Sequence, residues 1–207
     1  MQWSDVLNPA LSASEILTEK VPALHKARIE QFRRFTSTEL IICVHFEDTE
    51  EKFTLKLGQT SAEVEKGEAI DFPQVTLKGQ QSRWDRALRL MAGIIEPVDA
   101  QIDRYEGRVE VTALLKEKFE RFDGVFEIKV VDLPDGPPLS FEAILNDYEA
   151  PPRARKVELE IPWETVKRLA HGEVKPADAA RELRLSGAVA LAIEVGGFLT
   201  KEFDIRS

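Results

Sequence analysis

The feature that most constrains the fold of this 207-residue chain is an internal repeat, in which residues 84–111 recur in diverged form at residues 163–191. Trp163 follows Trp84 by 79 positions, and six further residues are identical at the same offset without a gap. Chance rarely places tryptophan, glycine and proline together in one register, so we infer a duplicated structural unit. The identical pairs are Trp84/Trp163, Arg89/Arg168, Leu90/Leu169, Gly93/Gly172, Pro97/Pro176, Asp99/Asp178 and Ala100/Ala179.

The repeat continues on both sides of this ungapped segment, and its insertions fall in predicted loops. After one inserted residue, Gly187 matches Gly107 at an offset of 80. Upstream, a strand matches at an offset of 82 and a hairpin at an offset of 86. Loops tolerate insertions. We therefore expect an α+β protein of two repeated units, residues 1–124 and 125–207, each a mostly antiparallel sheet with helices packed on one face.

Alternation of apolar and polar residues predicts the strands of both units. Polar residues 47–52 form the turn of the first hairpin, and the cluster at residues 134–136 turns the second. In each unit a further strand precedes the repeated helix, and a final strand is expected to follow Gly107 or Gly187. The alternating positions are Ile42, Val44, Phe46, Phe53, Leu55, Leu57, Val75 and Leu77 in the first unit, and Phe126, Ile128, Val130, Leu139, Phe141, Val157, Leu159 and Ile161 in the second.

The predicted helices differ between the two units at their beginnings. Ser12 and Glu15 form a capping box that starts the first unit, and Pro22 interrupts or restarts the helices, which run to about Phe35. The second unit has no such segment, because only residues 122–124 separate its first strand from the preceding helix. We therefore expect the second unit to lack an opening helix.

The repeated helix itself is amphipathic, with Trp84, Leu88, Met91 and Ile95 at the i, i+4, i+7 and i+11 positions of one face. A short closing helix carries Leu115, Phe119 and Phe122 on one face. In both units, the repeated glycine is expected to cap this helix and the repeated proline to open the next one. The glycines are Gly93 and Gly172, and the prolines are Pro97 and Pro176.

Charge and cysteine content restrict the partners and the compartment. The net charge of -9 disfavours binding to the phosphate backbone of nucleic acids. The N-terminus lacks the basic and apolar regions of a signal peptide, and no apolar run reaches the roughly 18 residues that span a bilayer. A single cysteine, Cys43, excludes an internal disulfide. We expect a cytoplasmic protein without integral membrane association.

Catalytic and metal-binding patterns are not found in the sequence. His25, His45 and His171 lack the spacing of a zinc site. Cys43 and His45 would share one face of a strand, which permits a thiol–imidazole pair, but no third orienting group is evident. We expect no enzyme activity, no catalytic residues, no metal and no cofactor.

The order of elements in each unit resembles that of the sterol carrier protein 2 family, which has an SCP-2 sterol-binding domain. The resemblance is moderate over residues 12–122 and weaker over residues 125–207. It implies helices on one face of a mostly antiparallel sheet that enclose an apolar tunnel for sterols, acyl chains or other lipids, without catalysis. The first copy carries it in residues 75–78, Trp84, Leu88, Gly93, Pro97, Ala100 and residues 107–111, and the second in residues 157–160, Trp163, Leu169, Gly172, Pro176, Ala179 and residues 187–191.

Two functions follow as hypotheses. The first is non-enzymatic binding or carriage of an apolar ligand, such as a lipid, acyl chain or sterol-like molecule, in an internal cavity of the first unit. The alternative is a protein-interaction or assembly module with a filled core, which binds a protein partner or forms a homodimer. The residues predicted to line the cavity are Leu88, Met91, Ile95, Leu115, Phe119 and Phe122.

Overall fold

A computed structural model describes residues 3–6, 8, 10–83, 86–94 and 110–202. Within them, eight strands form a single mixed sheet in the order β3-β2-β1-β4-β6-β5-β7-β8. The mixed α+β class predicted from the sequence is therefore confirmed. The strands are β1 Leu40–Phe46, β2 Glu51–Leu57, β3 Ala62–Lys66, β4 Val75–Gly79, β5 Gly124–Val131, β6 Leu139–Leu145, β7 Lys156–Pro162 and β8 Arg184–Gly187.

The sheet is mostly antiparallel, and it joins the two halves of the chain. The described strands make two parallel pairings, β1 with β4 and β5 with β7, and the remaining five pairings are antiparallel. Strand β4 of the first half pairs with β6 of the second half. The predicted units 1–124 and 125–207 thus contribute strands to one continuous sheet.

Each half contains a hairpin whose first strand also pairs in parallel with a later strand. Strands β1 and β2 with β4 form this arrangement in the first half, and β5 and β6 with β7 form it in the second. The first strands of the two hairpins start at Leu40 and Gly124, 84 positions apart, and the second strands start at Glu51 and Leu139, 88 positions apart. The predicted offset of 86 for the whole hairpin is corrected, because β5 and the turn after it are both longer than in the first hairpin.

Nine α-helical segments and two short irregular helices lie within the described ranges, and the predicted capping box at Ser12 and Glu15 is present. The interruption predicted at Pro22 is the π-helical turn directly before α3, and the backbone stays helical from this turn into α3. The helices are α1 Trp3–Val6, α2 Ala13–Glu15, a π-helical turn Ile16–Lys20, α3 Val21–Ala27, α4 Ile29–Phe35, a 3-10 turn Gln81–Arg83, α5 at 86–94, α6 Ala113–Phe119, α7 Trp163–Ala170, α8 Pro176–Ala179 and α9 Val189–Glu202.

The two repeated glycines have different roles, although the sequence predicted a helix cap for both. Gly172 follows the end of α7 with a φ of 69°. Its N–H donates to the Leu169 carbonyl, and the Glu173 N–H donates to the Arg168 carbonyl, which is the Schellman pattern. Gly93 lies inside α5 without a positive φ, so the cap predicted there is wrong. Pro176 opens α8 as predicted, whereas Pro97 lies outside the described residues.

The predicted final strand of the second unit is also corrected. Strand β8 ends at Gly187, and Val189 begins the fourteen-residue helix α9. Its first turns contain alanine and leucine, which are strong helix formers, so local propensity agrees with the observed helix. In the first unit, Val111 makes only an isolated bridge with Thr36, and residues 107–109 lie outside the described ranges.

The strand register separates the sheet into an apolar face and a charged face, because opposite residues of paired strands share a face. The charged face carries ion pairs between neighbouring strands, such as Lys156 with Glu127 at 3.1 Å and Lys56 with Glu65 at 2.9 Å. The apolar face carries Leu40, Ile42, Val44, Phe46, Phe53, Leu55, Leu57, Ala62, Val64, Val75, Leu77, Phe126, Ile128, Val130, Leu139, Phe141, Ala143, Leu145, Val157, Leu159, Ile161 and Leu185.

Helices cover the two ends of the apolar face. At the first end, Ala13 and Leu17 from the N-terminal helices pack on Phe53 and Leu55, with Phe32 of α4 beside them. At the second end, Leu191 and Val195 of α9 pack on Leu145 and Val157. The hydrophobic core therefore lies in separate clusters along the sheet.

Candidate functional site

A row of four apolar side chains crosses four neighbouring strands of the second half. Phe141 of β6 lies opposite Ile128 of β5, which lies opposite Leu159 of β7, which lies opposite Leu185 of β8. Adjacent strands are about 4.8 Å apart, so the row is about 14 Å long. We call these four residues the apolar row.

Both ends of the apolar row are open to solvent. Phe141 is 36% exposed and Leu185 is 40% exposed, while Ile128 and Leu159 between them are half-buried. Leu77 of β4, on the same face, is 38% exposed. Large apolar side chains at this exposure on a regular strand leave a surface that an apolar molecule can cover.

The next row along the same strands is closed. Ala143, Phe126 and Val157 lie opposite one another, and Val157 is fully buried. Leu191 and Val195 of α9 cover this part of the face. The edge of the open surface is therefore set by α9, which covers one row and leaves the neighbouring one accessible.

Residues predicted from the sequence to line a cavity fall into separate places. Leu88 is buried against Val6, Ile16 and Leu24 of the N-terminal helices, so its face of α5 is filled by protein side chains. Met91 on the same helix is 44% exposed. The third predicted position on this helix, Ile95, lies outside the described residues.

Two of the other predicted residues, Phe119 and Phe122, pack with the second half of the chain. Phe119 and Phe122 form a three-ring cluster with Phe198 of α9, with centroid distances of 5.9, 6.1 and 5.2 Å. These two rings also pack against the cluster that contains Val157 on the apolar face. Leu115 is buried. The structure thus brings Phe119 and Phe122 together and places Leu88 in a different cluster.

Three depressions in the described surface lie on the charged side of the sheet. Their volumes are about 540, 360 and 410 Å³. Charged side chains such as Glu160 and Arg184 line the first two, and His45, Lys52, Lys78 and Glu149 line the third. No residue of the predicted ligand-binding set lines any of these three depressions.

The sequence did not predict the apolar row, because each of its four residues alternates with polar neighbours as an ordinary core position of a strand does.

Cys43 and His45 share the charged face, as their spacing predicted. Cys43 is fully buried, and burial raises the pKa of its thiol, which reduces the thiolate fraction that a nucleophile needs. The Nδ1 atom of His45 lies 3.6 Å from the Glu149 carboxylate. Burial, followed by the charge of Lys52, lowers the pKa of His45.

Two further features of the described residues concern metal binding and membrane insertion. Among the residues that the structure describes, His, Cys, Asp and Glu do not form a group of three that could hold a metal ion. The helices in the described ranges do not combine the length and apolar composition needed to cross a bilayer.

Comparisons with protein-family models, with curated protein sequences and with solved structures gave no match. The resemblance to the sterol carrier protein 2 family stays a prediction from the sequence.

Proposed function

We propose that this protein binds an apolar ligand, such as a lipid, an acyl chain or a sterol-like molecule, without catalysing its conversion. The observation that carries the proposal is the apolar row, whose two ends are 36% and 40% exposed beside the part of the face that α9 covers. The ligand would lie along the row, across strands β6, β5, β7 and β8 and beside the part of the face that α9 covers.

The hydrophobic effect gives the driving force for this binding. Full burial of one large apolar side chain is worth about 1.5–3 kcal/mol, so covering the exposed parts of the row contributes a fraction of this at each residue. The ligand also buries its own apolar surface. A chain-like molecule fits better than a compact one, because the row is about 14 Å long and one side chain wide.

The position of the row changes one feature of the sequence-based hypothesis. The predicted cavity was in the first unit, whereas the apolar row lies on strands β5 to β8 of the second. Phe119 and Phe122 remain part of the proposal, since their cluster packs on the same face beside α9. The resemblance to sterol carrier protein 2 domains supports the same class of ligand.

A binding titration with a fluorescent fatty acid tests the proposal. The variant Phe141→Ser/Leu185→Ser removes both exposed ends of the row and is expected to fold, because neither side chain is buried. We expect saturable binding to the wild-type protein and about tenfold weaker binding to this variant. Leu114→Ser, at a 60% exposed position on α6, is the matched control and should bind normally.

Two outcomes of this titration contradict the proposal. One is the absence of saturable binding, together with no lipid in an organic extract of the purified protein. The other is equal binding by wild type and the row variant, which would place any ligand elsewhere.

The alternative function, protein interaction, is favoured by a different pair of exposed side chains on the opposite side of the sheet.

A further inference from the structure

The segment that connects β3 to β4 presents two large apolar side chains to solvent. Ile70 is 98% exposed and Phe72 is 64% exposed. Both exceed the exposure of every member of the apolar row. Two such side chains within three residues form a small apolar projection, which we call the Ile70/Phe72 knob.

Hydrogen bonds fix the backbone on both sides of the knob. The Ala69 N–H donates to the Tyr148 hydroxyl at 2.8 Å, and that hydroxyl donates to the Asp71 carbonyl at 3.0 Å. Tyr148 itself is 6% exposed, and its ring lies 6.2 Å from the ring of Phe72. A buried tyrosine thus holds the residues on either side of Ile70.

Anchors also hold both ends of the segment. At its start, the Thr54 hydroxyl donates to the Gly67 carbonyl at 2.7 Å. At its end, Pro73 is fully buried, and the Ile41 N–H donates to the Gln74 side-chain oxygen at 2.7 Å. The anchored residues alternate with Ile70 and Phe72, so the backbone is fixed while these two side chains project. A preorganised anchor of this kind loses little conformational entropy on binding.

Three acidic residues lie within five positions of the knob in the sequence. Glu65, Glu68 and Asp71 have side chains that are 47%, 48% and 65% exposed. Their lysine partners, Lys52 and Lys56, are only 19% and 17% exposed. The carboxylates therefore lie outermost, and an approaching partner meets negative charge around an apolar centre.

We propose that the Ile70/Phe72 knob is the docking site for a protein partner that offers an apolar pocket rimmed by lysine or arginine. An apolar centre with a polar rim is the usual arrangement of protein interfaces, and opposite charges orient the partner. The acidic rim opposes binding to an anionic lipid surface, which favours a protein over a membrane. This surface is independent of the apolar row, which lies on the other face of the sheet.

Selection from a random peptide library displayed on phage, with the full chain as bait, tests this proposal. We expect the selected peptides to combine aromatic or aliphatic residues with lysine or arginine. A synthetic peptide of the selected sequence should bind the Ile70→Ser/Phe72→Ser variant at least about tenfold more weakly than wild type. The matched control, Leu114→Ser/Ile193→Ser, also removes two exposed apolar side chains and should bind as wild type does.

A charge variant tests the rim separately. Glu68→Gln/Asp71→Asn should weaken binding of the same peptide several-fold and reduce its dependence on salt, because the carboxylates no longer attract the basic residues. Selected peptides without lysine or arginine would contradict this part of the proposal. Peptides whose binding does not depend on Ile70 and Phe72 would overturn the docking site.

Vesicles provide the competing measurement. Sedimentation with vesicles of phosphatidylcholine, alone or with phosphatidylglycerol, is expected to leave the protein in the supernatant. Vesicle binding that is lost in Ile70→Ser/Phe72→Ser would overturn the protein-docking proposal in favour of a membrane site.

Discussion

Phe53 and Phe141 occupy equivalent positions in the two hairpins, yet Phe53 is buried and Phe141 is partly exposed to solvent. Each lies in the second strand of its hairpin, opposite Val44 and Ile128 respectively. Phe53 is completely buried, whereas Phe141 is 36% exposed. The same strand pattern therefore gives either core or accessible surface, depending on what covers it.

The difference arises from the helices that each half supplies. The N-terminal helices cover the first hairpin, with Ala13 and Leu17 in contact with the cluster around Phe53. The second hairpin follows α6 directly, as the sequence predicted, and has no opening helix of its own. Helix α9 covers only part of the second end. Because only α9 packs on this part of the sheet, the apolar face of the second hairpin is left partly exposed.

Truncation of the two phenylalanines should show the contrast most strongly. Phe53→Ala leaves a cavity in a closed core and should lower the free energy of unfolding by about 3–5 kcal/mol. Phe141→Ala removes a partly exposed ring and should cost about 1 kcal/mol. Urea denaturation of both variants measures the difference, and equal losses would contradict the proposed contrast.

The junction of the halves at Gly124 should be the next most sensitive position. Gly124 has a φ of 146°, and a Cβ atom there would overlap Leu191 of α9 and the Arg155 carbonyl. We expect Gly124→Ala to lower the free energy of unfolding by about 1–3 kcal/mol, chiefly by displacing α9. Protection of α9 amides from hydrogen exchange should fall more than that of α3 amides, and the opposite order would place the strain elsewhere.

Acidification should lower the free energy of unfolding through His25, which lies in the N-terminal helices that cover the first hairpin. This side chain is buried, packs 4.3 Å from the Phe32 ring, and burial lowers its pKa. A histidine with a lowered pKa in the folded state binds fewer protons there than in the unfolded chain. The neutral form of His25 therefore gives its full stabilisation above the unfolded pKa of about 6.5. The free energy of unfolding then falls as the pH decreases towards the folded pKa.

Denaturant midpoints measured from pH 7.5 to pH 5 test this prediction. His25→Leu should reduce the decrease in stability on acidification. Part of the decrease should remain, because the pKa of His45 is also lowered by burial. An unchanged pH profile in His25→Leu would show that His25 does not contribute.

Glycine replacement within α9 should have the smallest effect. Gly196 lies in the helix interior, and a Cβ atom there would meet no other atom within 4 Å. Gly196→Ala should therefore raise the free energy of unfolding by about 0.5–1 kcal/mol through helix propensity. Thermal unfolding of this variant and of Gly124→Ala compares the effect of helix propensity with that of steric overlap in the same packed region. A lower melting temperature for Gly196→Ala would contradict the placement of Gly196 in an open helix interior.

The sequence was informative about strands because their apolar residues alternate, and the structure confirms both hairpins and the strand before each repeated helix. It was less informative at the edges. The segment after Gly58 is too polar for its pattern to predict a core strand, and it forms the edge strand β3, where charged residues are common. The strand predicted beyond Gly187 is a helix instead.

The site could be predicted only in part, for a physical reason. Helical spacing correctly indicated a buried face through Leu88, but it could not show that Val6, Ile16 and Leu24 fill that space. Alternation likewise cannot distinguish Phe53 from Phe141, because exposure depends on distant helices. The i, i+2 spacing of Ile70 and Phe72 does not by itself show that they project, because their backbone is held by Tyr148, about eighty residues further along the chain.

Methyl NMR during titration with a fatty acid tests the central claim most directly, because it compares both ends of the apolar face in one sample. We predict saturable shifts for the methyl groups of Ile128, Leu159 and Leu185, with no shifts for Leu17 and Leu55. Unperturbed methyl groups along the apolar row, or shifts confined to Leu17 and Leu55, would contradict the assignment of the open second half as the ligand site.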